Sequence, residues 1–118
     1  MKKLLIFTTL LCIALYAFPQ ISSTTSGNWE DGATWVGGTA PTSADDAIIV
    51  SPHVVTTTTS GAAGAIVSVN TGATLTINSG ATLTTGGNLS VFGTLDQNGT
   101  LDVGDALIID AGIFNVGN

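Results

Sequence analysis

The feature that most constrains this chain is a short internal repeat. From Thr71 onward, glycine followed by one or two residues and then leucine recurs. The copies are Gly72-Ala-Thr-Leu75, Gly80-Ala-Thr-Leu83, Gly87-Asn-Leu89, Gly93-Thr-Leu95, Gly99-Thr-Leu101 and Gly104-Asp-Ala-Leu107, with Gly112-Ile-Phe114 as a variant. The leucines from Leu83 to Leu107 are spaced six residues apart. A unit this short cannot bury an apolar face by itself. It does so only by stacking on its neighbours, which is the condition that defines a solenoid.

Within most units apolar and polar residues alternate, as in Leu75-Thr-Ile77, Leu89-Ser-Val91, Leu101-Asp-Val103 and Phe114-Asn-Val116. Successive strand side chains point to opposite faces, so the large residues face inward and Thr76, Ser90, Asp102 and Asn115 face solvent. Glycine and asparagine between units suit corners, because both tolerate left-handed backbone angles. No gap is long enough for a helix. The expected fold is all-β: a right-handed parallel β-helix with coils of about 18–20 residues. Leu75, Leu83 and Leu89 line one coil, Leu95, Leu101 and Leu107 the next, and Phe114 opens a third. The strict six-residue stretch also fits a left-handed β-helix, which stands as runner-up. Gln97 conflicts with the pattern, since alternation places it inward under Ile77; a bulge or early corner there would resolve the conflict.

Ahead of the coils, 47–51, 54–58 and 65–70 read as strands, 59–64 as a flexible loop, and 21–28 as a polar lead-in, disordered in part. The chain divides into a signal peptide (1–20), a lead-in and N-terminal cap (21–46), and a β-solenoid (47–118). Because the coil pattern still runs at Gly117-Asn118, the solenoid reads as truncated, with downstream coils of the same chain as its natural partners.

The leader assignment rests on Lys2-Lys3 followed by an apolar run over 4–18. That run is shorter than the about 20 residues a membrane-spanning helix needs. Lipidation at Cys12 is disfavoured, because Leu10-Leu11 supplies no small residues before it. Removing the leader removes both lysines and the single cysteine, taking the formal charge from −6 to −8. A chain with no cation cannot neutralise phosphates, which argues against nucleic-acid partners. Anionic membrane surfaces are disfavoured on the same ground. No disulfide can staple the mature fold, so apolar burial must hold it.

The lead-in carries a second pattern: Gly27-Asn-Trp29, Ala33-Thr-Trp35-Val-Gly-Gly38, Pro41, Asp45-Asp46, Ile48-Ile-Val50 and His53-Val-Val-Thr56. This order resembles the start of secreted surface proteins of gliding-type bacteria exported by the type IX route. There a W…ATWxGG…P…DD…I…HxVT segment leads into glycine-rich β-helical repeats. It is also similar to the extracellular domain named for its eight glycines. The resemblance spans about residues 27–118 and implies an extracellular β-helix, often adhesive or carbohydrate-associated, without implying one activity. The 118 residues do not include the carboxy-terminal sorting domain that this route implies.

Candidate functional residues are few. Trp29 and Trp35 are candidates for carbohydrate contact through ring stacking. The favoured alternative is that they plug the open end of the first coil, which a solenoid must cover. Asp45-Asp46 reads as a turn before a strand, since adjacent strand residues cannot face one site. His53 lacks the cysteine or spaced acids of a metal set and reads as a turn or edge residue. Asp102, Asp105 and Asp110 do not reproduce a calcium loop. Structural calcium is the one cofactor considered, and no other cofactor or metal is expected. Asp96 and Asp102 fall on different sides of the coil, which argues against a glycosidase pair. Thr74-Leu-Thr76 and Thr82-Leu-Thr84 resemble ice-binding ranks but also lie on different sides. Asn88-Leu-Ser90 and Asn98-Gly-Thr100 match glycosylation acceptors and read as incidental.

The sequence therefore points to a non-enzymatic structural or adhesive segment of a secreted cell-surface protein. The alternatives are a carbohydrate-binding module and the scaffold of a polysaccharide-active enzyme with its catalytic residues downstream. The partners expected are extracellular polysaccharide or cell-surface components, with no membrane insertion after leader removal. Intact-mass measurement of exported protein should place the mature N-terminus between Phe18 and Ile21; retention of Lys2-Lys3 in that material would refute the leader assignment.

Overall fold

Alternation of inward leucine, isoleucine or valine with outward threonine, serine or aspartate makes each unit a strand with one wet face. The computed structural model describes residues 19–117 and shows how those strands stack. Most of the leader reading (1–18), including Cys12, lies outside the described residues, as does Asn118.

Thirteen short strands follow one another: β1 (Gln20–Ser22), β2 (Gly27–Asn28), β3 (Asp46–Ile49), β4 (Val54–Thr57), β5 (Ala62–Gly64), β6 (Val67–Val69), β7 (Thr74–Ile77), β8 (Thr82–Thr85), β9 (Leu89–Val91), β10 (Thr94–Gln97), β11 (Thr100–Val103), β12 (Leu107–Ile109) and β13 (Ile113–Val116). A single 3-10 turn, Gly32–Thr34, is the only helical element among the described residues. The strands form three parallel sheets. The first runs β1-β3-β6-β9-β12, the second β2-β4-β7-β10-β13, and the third β5-β8-β11. From β3 to β11 each turn of chain contributes one strand to each side in succession, and the architecture is a parallel β-solenoid of about four turns.

The stacking register matches the one expected from the repeat. Leu75 pairs with Leu95, Leu95 with Phe114, Leu83 with Leu101, and Leu89 with Leu107. Spacing between stacked residues is nevertheless uneven. Val67 and Leu89 pair across 22 residues, Leu89 and Leu107 across 18. The inward columns are Ala47–Val67–Leu89–Leu107 and Ile49–Val69–Val91–Ile109 on the first side, and Val55–Leu75–Leu95–Phe114 on the second. Through Leu95 these columns are fully buried and form one core with Trp29, Trp35, Ala62 and Leu83.

Three local expectations are corrected. Residues 59–64 are not simply a loop: Ala62–Gly64 is strand β5, in register with Leu83–Thr85. Ladder bonds need only backbone groups, so a strand of small residues gives no β-branched signal. Glycine is required at its end, because a Cβ on Gly64 would press on Val67 Cγ2. Residues 21–28 are likewise more than a lead-in, since β1 and β2 already carry the first two sheets and pair with β3 and β4. The sheets thus run without a break across the expected 46/47 boundary. At Gln97 there is neither bulge nor early corner. The register runs unbroken from Thr94 to Gln97 against both neighbouring strands, and Gln97 Nε2 reaches the Gly99 carbonyl at 3.3 Å. Gln97 is tolerated because it is only half-buried, in the next-to-last rung.

The corner glycines also differ in cause. Gly72 and Gly80 have φ of +83°, the left-handed region expected for corners. Gly93 and Gly99 do not have positive φ. There, a Cβ would collide with the carbonyl oxygens of Asn70 and Ala73, or of Asn78 and Ala81, in the coil beneath. Close backbone approach between coils selects glycine at these two corners.

Leu75→Asp should remove most of the fold's stability, roughly 3–5 kcal/mol, because it buries an unpaired carboxylate in a filled column. Thr76→Asp faces solvent beside Asp96 and should cost under about 1 kcal/mol. Urea melts of the two variants decide the matter, and equal damage would mean that the inside-outside register is wrong.

Candidate functional site

The entry segment is where most of the non-repetitive side chains gather. From Trp29 the chain makes the 3-10 turn and runs back along the outer edge of β1. Thr24 N–H donates to Thr34 O at 2.8 Å, Val36 N–H donates to Ser22 O at 2.9 Å, and Ser23 bridges Trp35 in antiparallel fashion. Asp31 caps the turn by accepting from Ala33 N–H at 3.0 Å. Thr34 Oγ1 donates to the Asn28 carbonyl at 2.8 Å, closing the end of the second sheet. These bonds cover the end of the β1 edge, at the Ser22 carbonyl and just beyond it.

Trp29 and Trp35 sit inside this cap. Each is 1% exposed, their ring centroids lie 4.9 Å apart at 71°, and Trp35 Nε1 donates to the Trp29 carbonyl at 2.8 Å. An edge-to-face aromatic pair of this kind adds to burial. Neither ring offers a face to solvent, so the sugar-stacking expectation for Trp29 and Trp35 is corrected: they are core plugs. Trp29 Nε1 and Thr57 Oγ1 are buried with no hydrogen-bond partner.

Glu30, not singled out from sequence, fastens the cap to the first full coil. Its carboxylate accepts from Thr58 N–H, Thr59 N–H and both threonine hydroxyls at 2.9–3.1 Å. Partial burial raises its pKa, and the N–H donors of Thr58 and Thr59 outweigh that, holding the carboxyl below the usual glutamate range. Nothing in the sequence sets Glu30 apart; only the coil brings Thr58 and Thr59 to it.

The other ionisable residues serve turns and rungs. Asp45 Oδ2 accepts from Thr42 N–H and Oγ1 at 2.9 and 3.0 Å, the turn role expected of it. Asp46 Oδ1 accepts from Ile66 N–H in the next rung at 3.1 Å. His53 Nδ1 lies 2.8 Å from Ser23 Oγ, which accepts from Val50 N–H at 3.0 Å, so His53 ties a corner to the cap. Ser23 is buried, and its hydroxyl is held in that corner rather than presented to solvent. Asp96 and Asp102 stand on β10 and β11, in different sheets. Thr74-x-Thr76 and Thr82-x-Thr84 are likewise divided between β7 and β8. Asn88 Oδ1 accepts from Ala106 N–H at 3.1 Å. Among the described residues no three His, Cys, Asp or Glu side chains lie close enough to share a metal ion, and no cleft is present.

What the topology does assemble is the wet face of the second sheet. Asn28, Thr56, Thr76, Asp96 and Asn115 form one outward column, flanked by Val54, Thr74, Thr94 and Ile113. Asn115 Nδ2 donates to Asp96 Oδ1 at 2.7 Å across two rungs. This column was hidden by reading Thr74-x-Thr76 against Thr82-x-Thr84. The signal is the twenty-residue recurrence of Val54-x-Thr56, Thr74-x-Thr76 and Thr94-x-Asp96. Compared with protein-family models, curated proteins and solved structures, the chain matches none.

Because the folded pKa of Glu30 is lowered, its contribution is present above the unfolded value and lost as pH falls through the folded one. Glu30→Gln should therefore lower stability at neutral pH by about 0.5 kcal/mol, a charge-assisted contribution reduced by solvent screening. Thermal melts of wild type and variant should converge as the pH is taken well below the usual glutamate range. A difference that persists there would assign the effect to something other than the carboxylate.

Proposed function

We propose that this chain is a structural or adhesive β-solenoid segment of a secreted cell-surface protein, acting through the faces of its rungs rather than through a catalytic centre. The observation that carries the reading is the use of side chains. Inward positions fill the core, outward ones are mostly threonine, serine, asparagine and aspartate, and the described carboxylates serve turns, rungs or open solvent. Resemblance of the entry segment to type IX-exported surface proteins supports the extracellular placement, as does the basic-apolar start of the sequence. The uneven coil lengths favour a right-handed coil over a left-handed hexapeptide helix. Immunolabelling of intact producing cells tests the placement: signal at the surface or in the medium is expected, and protein confined to the cytoplasm with Lys2-Lys3 retained overturns it.

A second reading is supported by the column on the second sheet, Thr56–Thr76–Asp96–Asn115, a row of hydroxyl, carboxylate and amide groups. Neighbouring rungs lie about 4.8 Å apart and alternate residues about 6.8 Å apart along a strand. Such a grid suits an extended neutral polysaccharide, which needs hydroxyl partners and no cation. Pull-down with insoluble polysaccharides distinguishes the readings. Retention lost on Thr76→Arg but kept on Ser90→Arg, which faces out from the first sheet, makes the second sheet a carbohydrate surface. No retention leaves the structural role.

A further inference from the structure

The outward row of the second sheet differs from those of the other two. Asn28, Thr56, Thr76, Asp96 and Asn115 stand in register on its five strands, and every member offers a hydrogen-bonding side chain. On the first sheet the matching row is Ile48–Ser68–Ser90–Ile108, in which isoleucine interrupts the serines. On the third it is Ala63–Thr84–Asp102, which begins on an alanine. The row on the second sheet is also held from behind. Its inward neighbours Val55, Leu75 and Leu95 are fully buried, as are Thr57 and Ile77. Strands pinned in this way have little order left to gain on binding, so the row is organised in advance.

Charge narrows what the row can receive. From Ala47 to Leu95 there is no Asp, Glu, Lys or Arg, so Thr56 and Thr76 stand in an ionically bare stretch. The next member, Asp96, is an anion, and Asn115 Nδ2 donates to its Oδ1 at 2.7 Å. Both lysines of the chain are at positions 2 and 3, and it has no arginine, so no Lys or Arg lies among the described residues. A carboxylated or sulfated polymer would meet Asp96 with no such cation to offset it. Neutral sugar hydroxyls instead donate to Asp96 and exchange hydrogen bonds with the threonines and Asn115.

We propose, on the carbohydrate reading of this face, that its ligand is a neutral, extended β-1,4-linked glycan lying along the solenoid axis, across the strands. Geometry sets the direction. Along a strand a polymer finds two outward positions, such as Thr74 and Thr76 on β7, before the corner turns the chain away. Across the strands the register continues from Thr56 through Asn115. The rung rise of about 4.8 Å is close to the advance per sugar of a fully extended β-1,4 chain, so successive sugars meet successive members of the row. Val54, Thr74 and Thr94, one position over, bring γ-methyl groups to the C–H faces of the rings.

The test is calorimetric titration of the full chain with cellobiose, cellotetraose and tetragalacturonate. Cellotetraose should bind about tenfold tighter than cellobiose, since each further rung adds net hydrogen bonding. Tetragalacturonate should bind at least about tenfold more weakly than cellotetraose, because it opposes Asp96 with like charge. Thr56→Arg should cut cellotetraose affinity on the order of tenfold by blocking one rung of the row. Ser90→Arg, on the first sheet, should leave it unchanged, with far-ultraviolet circular dichroism confirming that both variants are folded. Binding lost on Thr76→Arg yet equal for cellobiose and cellotetraose, or indifferent to Thr56→Arg, overturns the axial placement and leaves the carbohydrate reading standing. Tetragalacturonate bound as tightly as cellotetraose overturns the neutral class. Protein that insoluble polysaccharide retains but cellotetraose does not bind overturns the β-1,4 linkage. Absence of both kinds of binding, or binding untouched by Thr76→Arg, removes the carbohydrate reading and this proposal with it.

Discussion

Parallel register ties everything else in this molecule together. In a three-sided coil each inward residue has two obligations: it packs against the other two sides of its own rung, and it packs on the residue directly above and below. Leu75 meets Val55 beneath and Leu95 above, so a slip of one residue would turn every member of that column to water. The core is therefore specified rung by rung rather than by a single central cluster. Stability is close to a sum of neighbouring-rung terms. The same rule explains why Thr57 and Gln97 can share a column with Ile77. Each polar inward residue is confined to one rung, and the rungs beside it supply apolar contact.

The columns begin at a cap that is built differently from the rungs it covers. At the start, a non-repetitive stretch folds back, buries two indoles, bonds the Ser22 carbonyl at the end of β1 and anchors itself through Glu30 to the corner after β4. These contacts join residues about thirty positions apart, so the cap closes only once the first full coil has formed. Beyond the cap the columns are carried by the repeat alone, rung on rung through β13.

Much of this was legible because the Gly-x-Leu recurrence is dense from residue 72 onward. Large inward anchors reported both strand and register, and every stacked pair expected among them is present. Legibility fell where chemistry and periodicity parted. Ala62–Gly64 makes the same ladder bonds as Leu83–Thr85, but backbone bonds leave no trace in side-chain pattern. Glycine identity was legible and its cause was not: Gly93 and Gly99 look like turn formers, and only stacked coils reveal that the carbonyls beneath exclude a Cβ. Around the entry cap, residue type pointed to aromatic plugs. The carboxylate that fastens them, Glu30, belongs to no repeat and gained its meaning only from where the coil put Thr58 and Thr59.

The uneven rungs carry a consequence for what such a rod is good for. About twenty residues lift the chain one rung, roughly 4.8 Å, whereas the same twenty residues in a helix would span about 30 Å. A solenoid is thus among the least economical ways to gain distance. What the material secures is breadth: three walls, each a few residues wide, on which a side chain in one rung stands in register with its counterpart in the next. Adding one rung to the rod would barely lengthen it, and would enlarge every wall by a full row of displayed groups.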